Sequence, residues 1–233
     1  KDYLNGWAER YRADLTENIM PFWLKYGLDR VNGGIYTCVD RDGSLIDSTK
    51  SVWFQGRFAF VCSFAYNTIE KNPEWLAAAK STIDFIEAHC FDTDGRMYFH
   101  MTADGTPIRK RRYAYSECFA AIAWAAHSGA TGDAHSAERA RHWFDIYADV
   151  FFTPGKMAPK STGKRPGENL GCRMIMLVTA QEMRRYLGDE GGIYTVDRNL
   201  VSSKLERYHV AITLIMIFTF DPEGPFIILT MLS

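Results

Sequence analysis

Two stretches of this 233-residue chain are apolar on nearly every side, and nothing else in it constrains the fold as strongly. One runs Ser51-Val52-Trp53-Phe54-Gln55-Gly56-Arg57-Phe58 and on through Phe60, Val61, Phe64, Ala65 and Tyr66; the other covers residues 113–126 and is interrupted only by Ser116 and Glu117. A helix hydrophobic all round has to be enclosed by other elements. The segments between these two carry a single apolar stripe each, as helices with one wet face do. Enclosed helices alternating with one-sided ones describe two concentric layers, and so an all-α toroid with short β-hairpins between its helices. A plain helix bundle gives similar periodicities.

In chain order, Leu4, Trp7, Ala8, Tyr11, Leu15, Ile19, Phe22 and Trp23 form the stripe of an opening helix expected to cover part of the interior. Residues 31–46 read as two strands joined by an Asp42-Gly43 turn, and residues 91–108 as a longer hairpin with turns at Asp94-Gly95 and Asp104-Gly105. Asn72-Pro73-Glu74 starts a helix whose face is Trp75, Ala78, Ala79, Ile83 and Ile86. Asp133 caps another, with Trp143, Phe144, Tyr147, Val150 and Phe151 turned inward. Residues 153–167 form a loop, and a helix over 168–187 follows, ended by Gly188. Gly191-Gly192-Ile193-Tyr194 then echoes Gly33-Gly34-Ile35-Tyr36, which suits an array of helix pairs.

The length fits one large domain, and 47% hydrophobic with 14% aromatic residues is enough for a substantial core. A net charge of -1 gives no electrostatic case for nucleic acid or an anionic membrane as partner. Five widely spaced cysteines suggest neither a disulfide framework nor a zinc site. No glycine-rich phosphate loop and no metal-ligand spacing is present, so neither cofactor nor metal is expected. The polar opening residues are unlike a signal peptide, and the apolar run at 210–220 is short of the ~20 residues a membrane span needs. A cytoplasmic protein is the expectation.

Arg57 is the anomaly in the first enclosed stretch. A guanidinium flanked by Trp53, Phe58 and Phe60 either meets a carboxylate, snorkels to water, or faces an enclosed polar site. Three segments bear on the choice. Lys50 to Arg57, Tyr98-Phe99-His100-Met101-Thr102-Ala103-Asp104-Gly105-Thr106-Pro107, and Arg111-Arg112-Tyr113-Ala114-Tyr115-Ser116-Glu117-Cys118-Phe119 resemble, in order and spacing, signatures of the N-acylglucosamine 2-epimerase family. The resemblance runs from about Tyr3 to Gly188. It implies an (α/α)6 barrel with a central sugar pocket, and inversion at C2 of N-acetylglucosamine, N-acetylmannosamine or a related aldose through an enediolate. It gives Arg57 the role of stabilising the enediolate, and makes Glu117 a candidate for binding sugar hydroxyls or orienting Arg57, against a structural ion pair. Gln55, Trp53 and Tyr113 are further candidates for contact with the sugar.

The carboxyl end departs from the family pattern. Members are longer, and the histidine-bearing segments expected to supply the acid/base pair find no match. His209 is the only histidine after residue 188, and His89, His100, His127, His135 and His142 read as lying on outer helices or a hairpin. The domain reading is therefore a family-like part of the barrel over 1–188 and a divergent or truncated tail over 189–233. An incomplete ring would expose the flanks of inner helices, which pairing as a homodimer could cover. The alternatives to an epimerase are a catalytically inactive sugar- or protein-binding module, and a hydrolase on the same barrel, which would need two carboxylates facing one cavity.

Overall fold

The structure, a computed structural model, describes residues 2–157 and 170–194. The loop expected at 153–167 and the tail expected at 189–233 lie largely outside these residues, and His209 and the 210–220 run lie wholly outside them.

The opening helix α1 (Asp2–Ala13) continues through π-helical turns at Asp14–Ile19 and Trp23–Gly27, separated by a single α-turn, α2 (Met20–Phe22). Its predicted stripe is only half used. No residue of α1 is buried, and Tyr3 and Leu4 are 75% and 66% exposed. Covering begins further on, where Leu15, Met20, Leu24 and Leu28 pack with Cys62, Ala65, Trp75, Ala78 and Ala79.

The two enclosed stretches become α3 (Val52–Thr68) and α5 (Tyr115–Thr131). Every residue of α5 from Ser116 to His127 is buried. α3 packs on α5 and α5 on α7 (Leu170–Leu187), which makes an inner row. α4 (Pro73–His89) packs on α3 and α5, and α6 (Ala134–Phe152) on α5 and α7, which makes the outer row. Polar ties fix the rows: Asn67 Nδ2 donates to the Ala126 carbonyl at 2.9 Å, and the buried Tyr147 hydroxyl donates to the Cys172 carbonyl at 2.6 Å. At the edge of the inner row Phe54 and Val61, about two turns apart on α3, are 41% and 40% exposed.

The local signals hold where they are strongest. Asn72 accepts from the Glu74 amide at 2.9 Å at the start of α4, and Gly188, at φ +74°, ends α7. Gly43, Gly95 and Gly105 take the positive φ that their Asp-Gly turns require. The strands are shorter than expected. β1 (Cys38–Val39) pairs with β2 (Leu45–Asp47), while β3 (Lys50–Ser51), which had no sequence signal, joins β4 (His100–Met101) and β5 (Pro107–Arg109) in a three-stranded antiparallel sheet. The echo at Gly191-Gly192 is real at the backbone: both glycine pairs have positive φ, 79° and 74° in the first, 79° and 68° in the second.

Asp133 caps α6 as expected, accepting from the Ser136 amide at 3.0 Å and its hydroxyl at 2.6 Å, and that hydroxyl also meets His127 Nδ1 at 2.9 Å. His127 therefore sits at the buried end of inner helix α5, not on an outer element. Burial lowers its pKa, the Asp133 carboxylate opposing. Asp133→Ala should cost about 1–2 kcal/mol, because the cap and the partner of a buried pair are lost together. A thermal melt should show Tm lowered by roughly 2–8 °C.

Candidate sugar site

β3 runs directly into α3, and β5 leads within a few residues into α5, so the three-stranded sheet lies across the N-terminal ends of both inner helices. Two bonds hold it there. The Val52 amide donates to the Phe99 carbonyl at 3.0 Å, and the Ser116 hydroxyl to the Tyr98 carbonyl at 3.0 Å.

Trp53, in the first turn of α3, is the hub of this end. Its ring meets Phe99 and Tyr115 edge-on, each with centroids 5.2 Å apart, and Phe119 at 6.2 Å. One turn on, the half-buried Arg57 lays its guanidinium 4.3 Å above the Phe119 ring. Burial lowers its pKa from the ordinary value, with the neighbouring Cys118 opposing; a guanidinium nonetheless stays charged at neutral pH. Tyr113 stacks on Tyr115 at 5.8 Å, and its hydroxyl accepts from Arg112 at 2.9 Å. Arg57, Trp53 and Tyr113 thus belong to one aromatic cluster.

The other two candidates are bonded to the protein itself. Both polar atoms of the fully buried Gln55 go to Ile35, whose amide donates to Oε1 at 2.8 Å and whose carbonyl accepts from Nε2 at 2.7 Å. Gln55 pins the Gly33-Gly34 loop, and its amide is not available to a sugar. Glu117, also fully buried, accepts from Arg96 Nε at 2.6 Å and from the Met97 amide at 3.1 Å through Oε1. Two residues along a helix from both Tyr115 and Cys118's neighbour Phe119, it points about 200° round the axis from the side that meets Trp53 and Arg57. Oε1 is taken up by the ion pair, while Oε2 is buried without a hydrogen-bond partner among the described residues.

Lys50 is the residue that sequence reasoning missed. Its ammonium is fully buried and donates to Asp29 Oδ2 at 2.8 Å and to the carbonyls of Gly33 and Ala103 at 2.7 Å each, 4.1 Å above the Phe85 ring. All three of its protons are used. Burial alone would raise the Asp29 carboxyl, but hydrogen bonds from Lys50, Asn32 and Val31 hold it well below the usual carboxylate range. A single charge pair thereby ties the first loop, β3 and the β4–β5 turn together.

Four of the five described histidines contact another side chain. His100 Nε2 meets the Thr49 hydroxyl at 2.8 Å, His89 rests on Phe85, His142 on Trp143, and His135 is exposed in the first turn of α6. His127 lies twelve residues along α5 from Tyr115, about 18 Å at 1.5 Å per residue. Among the described residues no three His, Cys or carboxylate groups are placed to hold a metal ion, and no helix is long and apolar enough to cross a membrane.

The profile of the family described as N-acylglucosamine 2-epimerase matches residues 34–181, which include both inner-helix starts and the sheet. The chain is 30% identical over 189 residues to the N-acylglucosamine 2-epimerase of Bos taurus, a match covering 78% of this chain and 44% of that protein. It is 32% identical over 137 residues to a cellobiose 2-epimerase of Ruminococcus albus, covering 58% and 34% respectively. The chain thus spans less than half the length of the curated relatives it matches. Among solved structures, the cellobiose 2-epimerase of Spirochaeta thermophila superimposes with a TM-score of 0.72 at 22% identity, over 91% of this chain and 56% of that one. That likeness shows the fold: the described inner and outer rows are part of an (α/α)6 ring.

Proposed function

The chain belongs to the N-acylglucosamine 2-epimerase family, and we propose on that footing that it is part of a sugar 2-epimerase whose substrate meets the Arg57 end of the inner helices. The observation that carries the proposal is the guanidinium of Arg57, stacked on Phe119 beside Trp53 at the N-terminal ends of α3 and α5, inside the matched region. Inversion at C2 starts with an opened sugar ring. A proton leaves C2 next to the aldehyde, the electrons move onto oxygen as an enediolate, and a proton returns to the opposite face. The developing negative charge needs a donor already in place, because a fixed cation in a desolvated setting costs no reorganisation at the moment of reaction. Arg57 is that donor, and the rings of Trp53 and Tyr113 supply flat apolar faces for the sugar. The substrate would be N-acetylmannosamine, N-acetylglucosamine or a related aldose.

Epimerisation also needs an acid/base pair at this end. Four of the five described histidines are engaged with other side chains, which favours a second reading: a sugar-binding module that keeps the cation and the rings without enolising anything. One experiment separates the two. Proton NMR of the purified chain with N-acetylmannosamine, then mannose, in deuterated buffer should show the C2 proton signal fading, and Arg57→Ala should slow the loss on the order of 10²–10³-fold. Sugar binding by a folded chain, with the C2 signal intact over days, would retire the enzyme and leave the module.

A further inference from the structure

The segments that lead into α3 and α5 are built alike. Leu28 bridges Ile35 and Phe91 bridges Met97, both antiparallel. Around the first bridge the Asp29 amide donates to the Gly34 carbonyl at 3.0 Å and the Tyr36 amide to the Gly27 carbonyl at 2.8 Å. Around the second the Asp92 amide donates to the Arg96 carbonyl at 2.9 Å and the Tyr98 amide to the Cys90 carbonyl at 2.8 Å. A lysine shortly before the helix pairs with each aspartate, Lys50 with Asp29 at 2.8 Å and Lys110 with Asp92 at 2.9 Å. The same lysines lie over the two tyrosine rings, at 5.5 Å from Tyr36 and 5.9 Å from Tyr98.

Each loop is fastened to its own inner helix at one amide. That of Ile35 donates to Gln55 Oε1 at 2.8 Å and that of Met97 to Glu117 Oε1 at 3.1 Å, both across 20 residues. Ile35 and Met97, Trp53 and Tyr115, Gln55 and Glu117, Arg57 and Phe119 are each 62 positions apart. The aromatic cluster therefore forms where two like units meet, Trp53 on its counterpart Tyr115 and Arg57 on its counterpart Phe119.

The units differ in how the fastening is completed. Gln55 is a carboxamide and makes a second bond itself, donating to the Ile35 carbonyl at 2.7 Å. A carboxylate has no proton to donate, and Glu117 instead takes the Arg96 guanidinium at 2.6 Å. Arg96 precedes Met97 where Gly34 precedes Ile35. A Cβ at Gly34, at φ +74°, would lie 2.6 Å from Gln55 Oε1 and 3.0 Å from Cγ of Phe85, so the first unit has no room for an arginine there.

We infer that Glu117 is a positioning residue, the counterpart of Gln55, which acts through the Met97 amide and not by its charge on a substrate. Met97 runs on into Phe99, whose carbonyl accepts from the Val52 amide at 3.0 Å and whose ring meets Trp53 at 5.2 Å. Holding Met97 thus holds the first turn of α3, with Arg57 one turn on. The bracing stands on the fold; its bearing on chemistry rests on the reading of this end as a sugar site.

Three variants test it, by thermal melts and by deuterium exchange at C2 of N-acetylmannosamine at a temperature where every variant is folded. Glu117→Gln keeps the acceptor for Met97 and gains the donor that Gln55 uses, while Arg96, 19% exposed, turns to water. Its Tm should stay within about 3 °C of native and its C2 exchange within about threefold. Glu117→Ala leaves the Met97 amide without an acceptor and should lower Tm by about 4–12 °C and slow C2 exchange on the order of tenfold. Gln55→Glu buries a carboxylate with no arginine beside it and should lower Tm by about 6 °C or more. A Glu117→Gln chain with a native melt that loses exchange on the order of 10²-fold, as Arg57→Ala does, would place the charge of Glu117 on the sugar and overturn the inference. So would a Glu117→Gln chain that melts as low as Glu117→Ala, or a Gln55→Glu chain that melts with the native one. Absence of exchange from the native chain would overturn the sugar reading alone, and the three melts would still decide the bracing.

Discussion

Lys50→Ala should lower the stability of the chain by about 3–5 kcal/mol, a large share of the 5–15 kcal/mol that holds a typical domain together. Among the described residues Lys50 is the one cation bonded to Asp29, and the substitution leaves that carboxylate in a site that is 2% exposed, together with two carbonyls that lose their donor. Most of the cost comes from what is left behind, since a buried pair replaced as a whole is often nearly neutral. Lys50→Met combined with Asp29→Asn should therefore be milder than Lys50→Ala alone, and denaturation with guanidinium chloride measures both. An additive double variant, worse than either single change, would show that the pair is not coupled. Acid gives an independent reading. The Asp29 carboxyl is held below its unfolded value of about 3.9, so its contribution is complete above that pH and is lost as pH falls below it. Native chain should lose stability in that window more steeply than a Lys50→Met, Asp29→Asn double variant.

Gly56→Ala should destabilise as well, by about 1–3 kcal/mol, although alanine is ordinarily the better helix former by about 0.5–1 kcal/mol. The sign is decided by space. A Cβ at Gly56 would lie 2.8 Å from the Phe119 carbonyl carbon and Cβ and 2.9 Å from its carbonyl oxygen. These are atoms of the α5 main chain and of the root of a side chain, so no rotamer change relieves them, and α3 has to move away from α5. Phe119 carries the Arg57 guanidinium, so the same movement disturbs the proposed site. Thermal melts followed by circular dichroism measure the first effect and deuterium exchange at C2 the second. A Gly56→Ala chain as stable as the native one would mean that the two helices do not meet as closely as the structure places them.

How much of this was legible in the sequence follows from how far each signal reaches. The Asn72 and Asp133 caps, the three Asp-Gly turns and the end of α7 at Gly188 were readable because each depends on residues within a turn of one another. The two enclosed helices were readable because burial on all sides leaves no polar face to hide. Arg57 stood out for the same reason. Lys50 did not, since its acceptors come from positions 21, 17 and 53 residues away and it sits among the polar residues of a strand two residues long. Glu117 and Gln55 were recognisable as polar groups in an enclosed place, but their partners, 21 and 20 residues away, decide between binding and bracing. Periodicity also misled. The stripe from Leu4 to Tyr11 is amphipathic yet stays exposed, because a pattern states which face could be buried and nothing about what is there to bury it.

The position of α5 has a consequence for amide hydrogen exchange. It touches α3, α4, α6 and α7 and is buried continuously from Ser116 to His127, so no partial opening of a single neighbour exposes its backbone. Its amides should exchange only when the whole domain unfolds, at a rate that reports the global free energy, while those of α1, which buries no residue, exchange by local fraying from the start. The helix that carries Phe119 and Tyr115 is then the slowest clock in the protein, and the cluster around Trp53 stands on the part of the chain that opens last.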